Sequence, residues 1–120
     1  MILIDRGYEV EALQAGEKLP DSEALQIMAA VAGSSRNPPV VRKAIEEIEK
    51  RGSALPARNV RTLLDSNDKW LQIEALGYVE RSGRQEFLKD VATLAQSSDH
   101  DVSAAAERAR NKLKKGLGQP

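Results

Sequence analysis

The same residue types return every 31 positions along this chain. Ala44, Ala75 and Ala106 stand at that spacing, as do Val40, Leu71 and Val102. Ile48 matches Val79 at the same interval. A second register runs in parallel: Val60, Thr62 and Leu63 precede Val91, Thr93 and Leu94 by one period, and Ala29 and Ala32 fall one period earlier still. A fixed period of this size, with apolar residues at helical spacing in each half, predicts stacked helix pairs. Each pair buries its apolar face only against its neighbours.

The clearest unit runs from Asn67 to Ser97. Asn67 and Asp68 are N-cap candidates, since their side-chain oxygens can accept from free backbone N–H groups. Leu71, Ala75, Leu76, Tyr78 and Val79 then recur at helical spacing. Ser82 and Gly83 break the pattern, and Ser82 with Gln85 fits a capping box for a second helix. That helix carries Phe87, Leu88, Val91, Leu94 and Ala95 on one face and ends in the Gln96-Ser97-Ser98 turn.

With Val41-Arg42 and Ala44, Asp68 with Leu71-Gln72 and Ala75, and Asp101-Val102-Ser103 with Ala106, the chain resembles the HEAT-like repeat family, in the short form also found in bilin lyase proteins. That pattern starts acidic, continues Val-Arg and then takes small residues; the Arg after Val is present once. The resemblance covers nearly the whole chain. It implies an all-α, right-handed α-solenoid of three to four HEAT-like antiparallel helix pairs, and protein binding as the default role.

Composition bounds the core. With 120 residues the chain is read as one domain, 1–120, with a frayed tail at 117–120. Only 3% of residues are aromatic, so the core is expected to be thin and built from Leu, Ile, Val and Ala. A formal net charge of zero gives no long-range pull on a polyanion. The absence of cysteine excludes disulfides and thiolate metal sites. Met1-Ile2-Leu3-Ile4 is too short for a signal peptide, and no apolar run is long enough to span a bilayer, which points to a cytoplasmic protein.

In chain order, Tyr8, Val10 and Leu13 suggest a short first helix before Gly16. Asp21 and Ser22 are cap candidates for the next, which carries Leu25, Ile27, Met28, Ala29, Val31 and Ala32 and is ended by Gly33-Ser34-Ser35. Asn37-Pro38 opens a helix that closes at Lys50-Arg51-Gly52, with Gly52 at the C′ position. Pro56 begins its partner, which runs through Leu63 and Leu64. The last helix starts near Asp99 to Asp101 and is closed by Gly116, after Lys112, Lys114 and Lys115. Charge is uneven: the first quarter is acidic and the second basic, a pattern that ordinary solvated helix faces also give.

No residue pattern points to catalysis. There is no P-loop, dinucleotide fingerprint, HExxH or nucleophile elbow. His100 lies in a turn between Asp99 and Asp101 and lacks the convergent partners of a zinc site. Glu46, Glu47 and Glu49 form intrahelical pairs with Lys43 and Lys50 rather than two carboxylates across a cleft. No cofactor, metal or catalytic residue is therefore expected.

The better candidates lie on the concave face that the resemblance assigns to each second helix. With Val60, Leu63 and Leu64 turned inward, Arg58, Arg61, Thr62 and Asp65 turn outward. Lys89, Thr93 and Gln96 occupy the columns of Arg58, Thr62 and Asp65 one repeat on, and Ile27 and Val31 one repeat back. Such a face would hold an acidic segment of a partner, with Arg58 and Arg61 making bidentate contacts; the alternative is a solubilising surface. Trp70, whose counterparts are Pro39 and Asp101, is a candidate interface anchor or a lid over a groove between repeats. Gly77, inside a helix, either admits another chain closely or has no role.

The expected function is a non-enzymatic protein-interaction module, an adaptor or an inhibitor. One version is a bacterial immunity or antitoxin-like protein that sequesters a toxin domain. The rival is nucleic-acid binding through Arg36, Arg42, Lys43, Arg58, Arg61 and Lys89, against which zero net charge and the lack of an aromatic platform count. An enzyme of the bilin lyase type is suggested by the resemblance alone.

Overall fold

A computed structural model describes residues 9–116. Among these the regular structure is helical throughout: α1 (Glu9–Glu17), α2 (Asp21–Ser34), α3 (Pro38–Lys50), α4 (Ala57–Leu64), α5 (Lys69–Ser82), α6 (Leu88–Leu94) and α7 (His100–Gly116), with one 3-10 turn at Gln85–Phe87. The chain divides into two compact units, one ending at Thr62 and one beginning at Leu63.

In the N-terminal unit α1, α2 and α3 contact one another pairwise. In the C-terminal unit α5 and α6 each contact α7. The cores are mainly aliphatic, with two of the chain's four aromatic residues, Tyr78 and Phe87, buried in the second. Met28, Val31, Val41, Ile45, Ile48, Leu55 and Val60 are fully buried in the first, and Leu76, Tyr78, Val79, Phe87, Val91 and Leu113 in the second. Burying each large apolar side chain contributes about 1.5–3 kcal/mol.

The 31-residue period is visible in burial. Glu9, Leu13 and Gly16 of α1, Val40, Ala44 and Glu47 of α3, Leu71, Ala75 and Tyr78 of α5, and Val102, Ala106 and Ala109 of α7 occupy equivalent columns, and all are buried. The turn before each later helix repeats too. Ser35, Ser66 and Ser97 each accept a hydrogen bond at Oγ from the backbone N–H two residues on, at Asn37, Asp68 and Asp99, over 3.0–3.1 Å. This Ser-x-Asx turn ties off one free N–H ahead of each helix. Asp68 Oδ1 then accepts from Trp70 N (2.9 Å), and Asp99 Oδ1 from Asp101 N and Val102 N. Asn37 holds the N-cap position without a side-chain cap bond, and Pro38 follows it where a missing donor costs nothing.

Two helix ends need a left-handed residue. At the end of α3, Gly52 has φ +71°, and Ser53 N donates to Ile48 O (3.1 Å) while Gly52 N donates to Glu49 O (2.9 Å). These are the paired bonds of a Schellman cap. Gly83 ends α5 at φ +67°.

The structure corrects several expectations. Ser82 is the last residue of α5, and its hydroxyl donates to Val79 O, so it caps no second helix. Gln85 instead opens the 3-10 turn, which splits the expected helix so that α6 covers only Leu88–Leu94. Pro20, not Asp21 or Ser22, is the N-cap of α2. α2 ends at Ser34 with Ser35 as its C-cap, within the Gly33-Ser34-Ser35 stretch expected to end it. α7 runs to Gly116, the residue expected to close it.

The repeat register of α2 also differs. Its buried residues Met28, Val31 and Ala32 correspond to Val60, Leu63 and Leu64 at an offset of 32, not 31. Ala32 precedes Ser35 by three residues, whereas Leu64 precedes Ser66 by two. Val31 is therefore core and does not share the outward column of Thr62; Gln26 and Ala30 take the places assigned to Ile27 and Val31. Expectations for Met1 to Tyr8 and for the tail at 117–120 fall outside the described residues.

Candidate functional site

A groove of about 580 Å³ opens between α2 and the start of α4 in the N-terminal unit. Leu25, Ala29 and Ala30 form its α2 wall, and Ile48, Ala54 and Pro56 close the opposite side. Gln26, Gly33, Asn59 and Arg58 complete the lining. Arg58 is the sole charged residue among them.

The two walls are fixed to each other. Asn59 Nδ2 donates to the backbone carbonyl of Ala29 (2.9 Å). Gly33 makes this possible: a Cβ there would lie 3.2–3.3 Å from Cγ, Nδ2 and Oδ1 of Asn59. The small positions of α2 along the groove, Ala29, Ala30 and Gly33, are half-buried, and α2 runs one residue out of the simple 31-residue register. Ala29, Ala30 and Gly33 therefore come up where α4 carries larger polar side chains.

Of the residues singled out by sequence, Arg58, Arg61 and Thr62 lie on α4, all exposed, and only Arg58 reaches the groove. Thr62 Oγ1 donates to Arg58 O (2.9 Å), and Thr93 Oγ1 donates to Lys89 O (3.1 Å), so the two threonines repeat the same back-bond one period apart. Asp65, Lys89, Thr93 and Gln96 are exposed in the C-terminal unit. Val60, Leu63 and Leu64 are buried, as the outward facing of Arg58, Arg61 and Thr62 requires.

Trp70 is 54% exposed in the first turn of α5. Lys69 Nζ stands 4.7 Å from its ring centroid and bridges Asp101 Oδ2 (3.0 Å) and Asp99 Oδ2 (3.4 Å) at the start of α7. The hydrogen bond to Asp101 is the main cause that raises the Lys69 pKa above 10.5, against a partial desolvation. The Asp99 carboxyl is held below 3.8, chiefly by the Val102 N–H, with burial opposing and Lys69 adding to the depression. His100, beside these acids, is exposed, and no group of three or more His, Cys, Asp or Glu among the described residues is arranged to hold a metal. Gly77 is half-buried; apart from the neighbouring backbone of its own helix, only Arg81 Nη1, one turn on in α5, would meet a Cβ there, at 3.2 Å.

Arg51 is the residue whose role the sequence hides. It looks like an ordinary cation at a helix end. Its Nη1 bonds Asp21 Oδ1 (2.6 Å), its Nη2 donates to Glu17 O (3.0 Å), and its Nε lies 3.6 Å from Glu47 Oε2. Glu47 is buried. The guanidinium thus joins the end of α3 to the α1–α2 turn, a 30- to 34-residue separation. The signal was present in Glu47, whose 31-residue counterparts Gly16, Tyr78 and Ala109 are all buried.

No helix among the described residues is long and apolar enough to cross a membrane. No family model, curated protein or solved structure matches the chain.

Proposed function

We propose that this chain is a HEAT-like helical-repeat module, built as a right-handed α-solenoid, that works in the cytoplasm without catalysis by binding another protein. The 31-residue recurrence of buried columns and of the Ser-x-Asx turn supports the repeat reading. The groove between α2 and α4 carries the binding reading. It is largely apolar at its walls, held open by the Asn59–Ala29 bond, and of a size that suits burial of a ligand's side chains. A preformed groove loses little conformational freedom on binding.

The test is affinity capture from native lysate with wild type and with Ala30→Arg, which fills the groove from a partly exposed helix position. Circular dichroism establishes that the variant folds. A protein retained by wild type and lost by the variant supports the reading. Equal capture by both removes the α2–α4 groove as the binding surface, and nucleic acid eluting in place of protein removes the protein-binding reading.

A further inference from the structure

Resting on the reading of the α2–α4 groove as a protein-binding surface, we infer that its occupant is an acidic amphipathic helix that sets aliphatic side chains in the groove and a carboxylate on Arg58. Three observations define this partner.

The first is the shape of the α2 wall. Gln26, Ala29, Ala30 and Gly33 follow i, i+3, i+4, i+7 spacing and form one line along a helix of 14 residues. Past Gln26 this line carries only Ala29, Ala30 and Gly33, so the wall is low there and a partner helix can approach closely and lay its own i, i+3/i+4, i+7 anchors into the groove. An extended strand would need unpaired backbone groups to bond with, and a helical wall has none to offer along its length.

The second is charge. Arg58 is exposed and makes no ion pair among the described residues, and no acid lines the groove. Its guanidinium presents a planar fork of donors that matches a carboxylate. A basic partner would set its cations against an uncompensated one.

The third is the fixed width of the groove. Asn59 is bonded to the α2 backbone at Ala29 and seated on Gly33, so the start of α4 that carries Arg58, with Pro56 just ahead of it, does not need to be ordered on binding.

The experiment selects a display library of short random segments against the full chain and measures chosen peptides by fluorescence anisotropy. The inference expects enrichment of Leu, Ile or Met at i, i+3/i+4, i+7 spacing with Glu or Asp on the flank. Arg58→Glu should weaken the best peptide by at least about tenfold and shift preference toward its Glu→Lys version. Ala30→Arg should abolish binding of both. If selected peptides are aliphatic but indifferent to charge, and Arg58→Glu changes nothing while Ala30→Arg still blocks them, the acidic class is wrong and the groove reading stands. If Ala30→Arg leaves binding intact, or no segment is enriched, both fall. Peptides that bind without becoming helical by circular dichroism also overturn the inference.

Discussion

Asn59 donates its side-chain amide to the mid-helix carbonyl of Ala29 and rests against Gly33, so one residue of α4 sets the distance to α2. This contact makes two glycines in helices unequal. At Gly33 an added Cβ meets three atoms of a side chain already held by a hydrogen bond. At Gly77 it meets only the far end of the Arg81 side chain. Replacing Gly by Ala in a helix otherwise gains about 0.5–1 kcal/mol. Gly77→Ala should therefore raise stability by about that amount, while Gly33→Ala should lower it by about 1 kcal/mol through the displaced Asn59. Urea unfolding of the two variants checks the opposite signs.

Arg51 is expected to be worth more than a surface cation. Removing it leaves Glu47 buried beside the end of α3 and releases the Glu17 carbonyl and Asp21. Arg51→Met should cost about 2–3 kcal/mol, since it leaves the buried Glu47 carboxylate with only the exposed Lys50 Nζ at 3.8 Å as a cationic partner. The double variant Glu47→Gln/Arg51→Met should recover part of that loss. Thermal unfolding of the single and double variants measures the recovery, and a double variant no more stable than Arg51→Met alone would contradict the assignment.

The three Ser-x-Asx turns separate by burial. Ser66→Ala and Ser97→Ala each remove one acceptor for a backbone N–H in half-buried turns, and each should cost about 1 kcal/mol. Ser35 is buried and also donates to Glu9 Oε2 (3.0 Å), so Ser35→Ala removes two bonds and leaves a buried carboxylate without that donor. It should be the most damaging of the three in a denaturant series.

The cluster at the starts of α5 and α7 predicts a pH response at both extremes. Asp99 has its folded pKa lowered from 3.8, so its contribution is present above that pH and is lost as pH falls through the folded value. Lys69 has its folded pKa raised from 10.5, so its contribution is complete below that pH and is lost as pH climbs through the raised value. Both groups are solvent-exposed and the effects are small. Asp99→Asn should chiefly flatten the acid limb and Lys69→Met chiefly the alkaline limb of a stability–pH curve, and because the two groups face each other each substitution should also shrink the opposite limb by a smaller amount.

The helical class and most of its helices were legible in the sequence, because period and apolar spacing are local properties. Leu71, Ala75, Leu76, Tyr78 and Val79 are all buried in α5 as their spacing predicts, and Val60, Leu63 and Leu64 in α4. Asp68 and Asp99 cap, and Gly52 takes the left-handed turn, for reasons fixed within a few residues. What only the tertiary structure decided depends on residues far apart in the chain. The one-residue shift of α2 moves Val31 into the core and brings Ala29, Ala30 and Gly33 to the groove, because burial follows the packing of α2 against α1 and α3 and not the arithmetic of the repeat. Arg51 becomes a clamp, and Asn59 a spacer, only because folding places Glu17, Asp21 and Ala29 within hydrogen-bond reach; no local pattern encodes a contact across thirty residues.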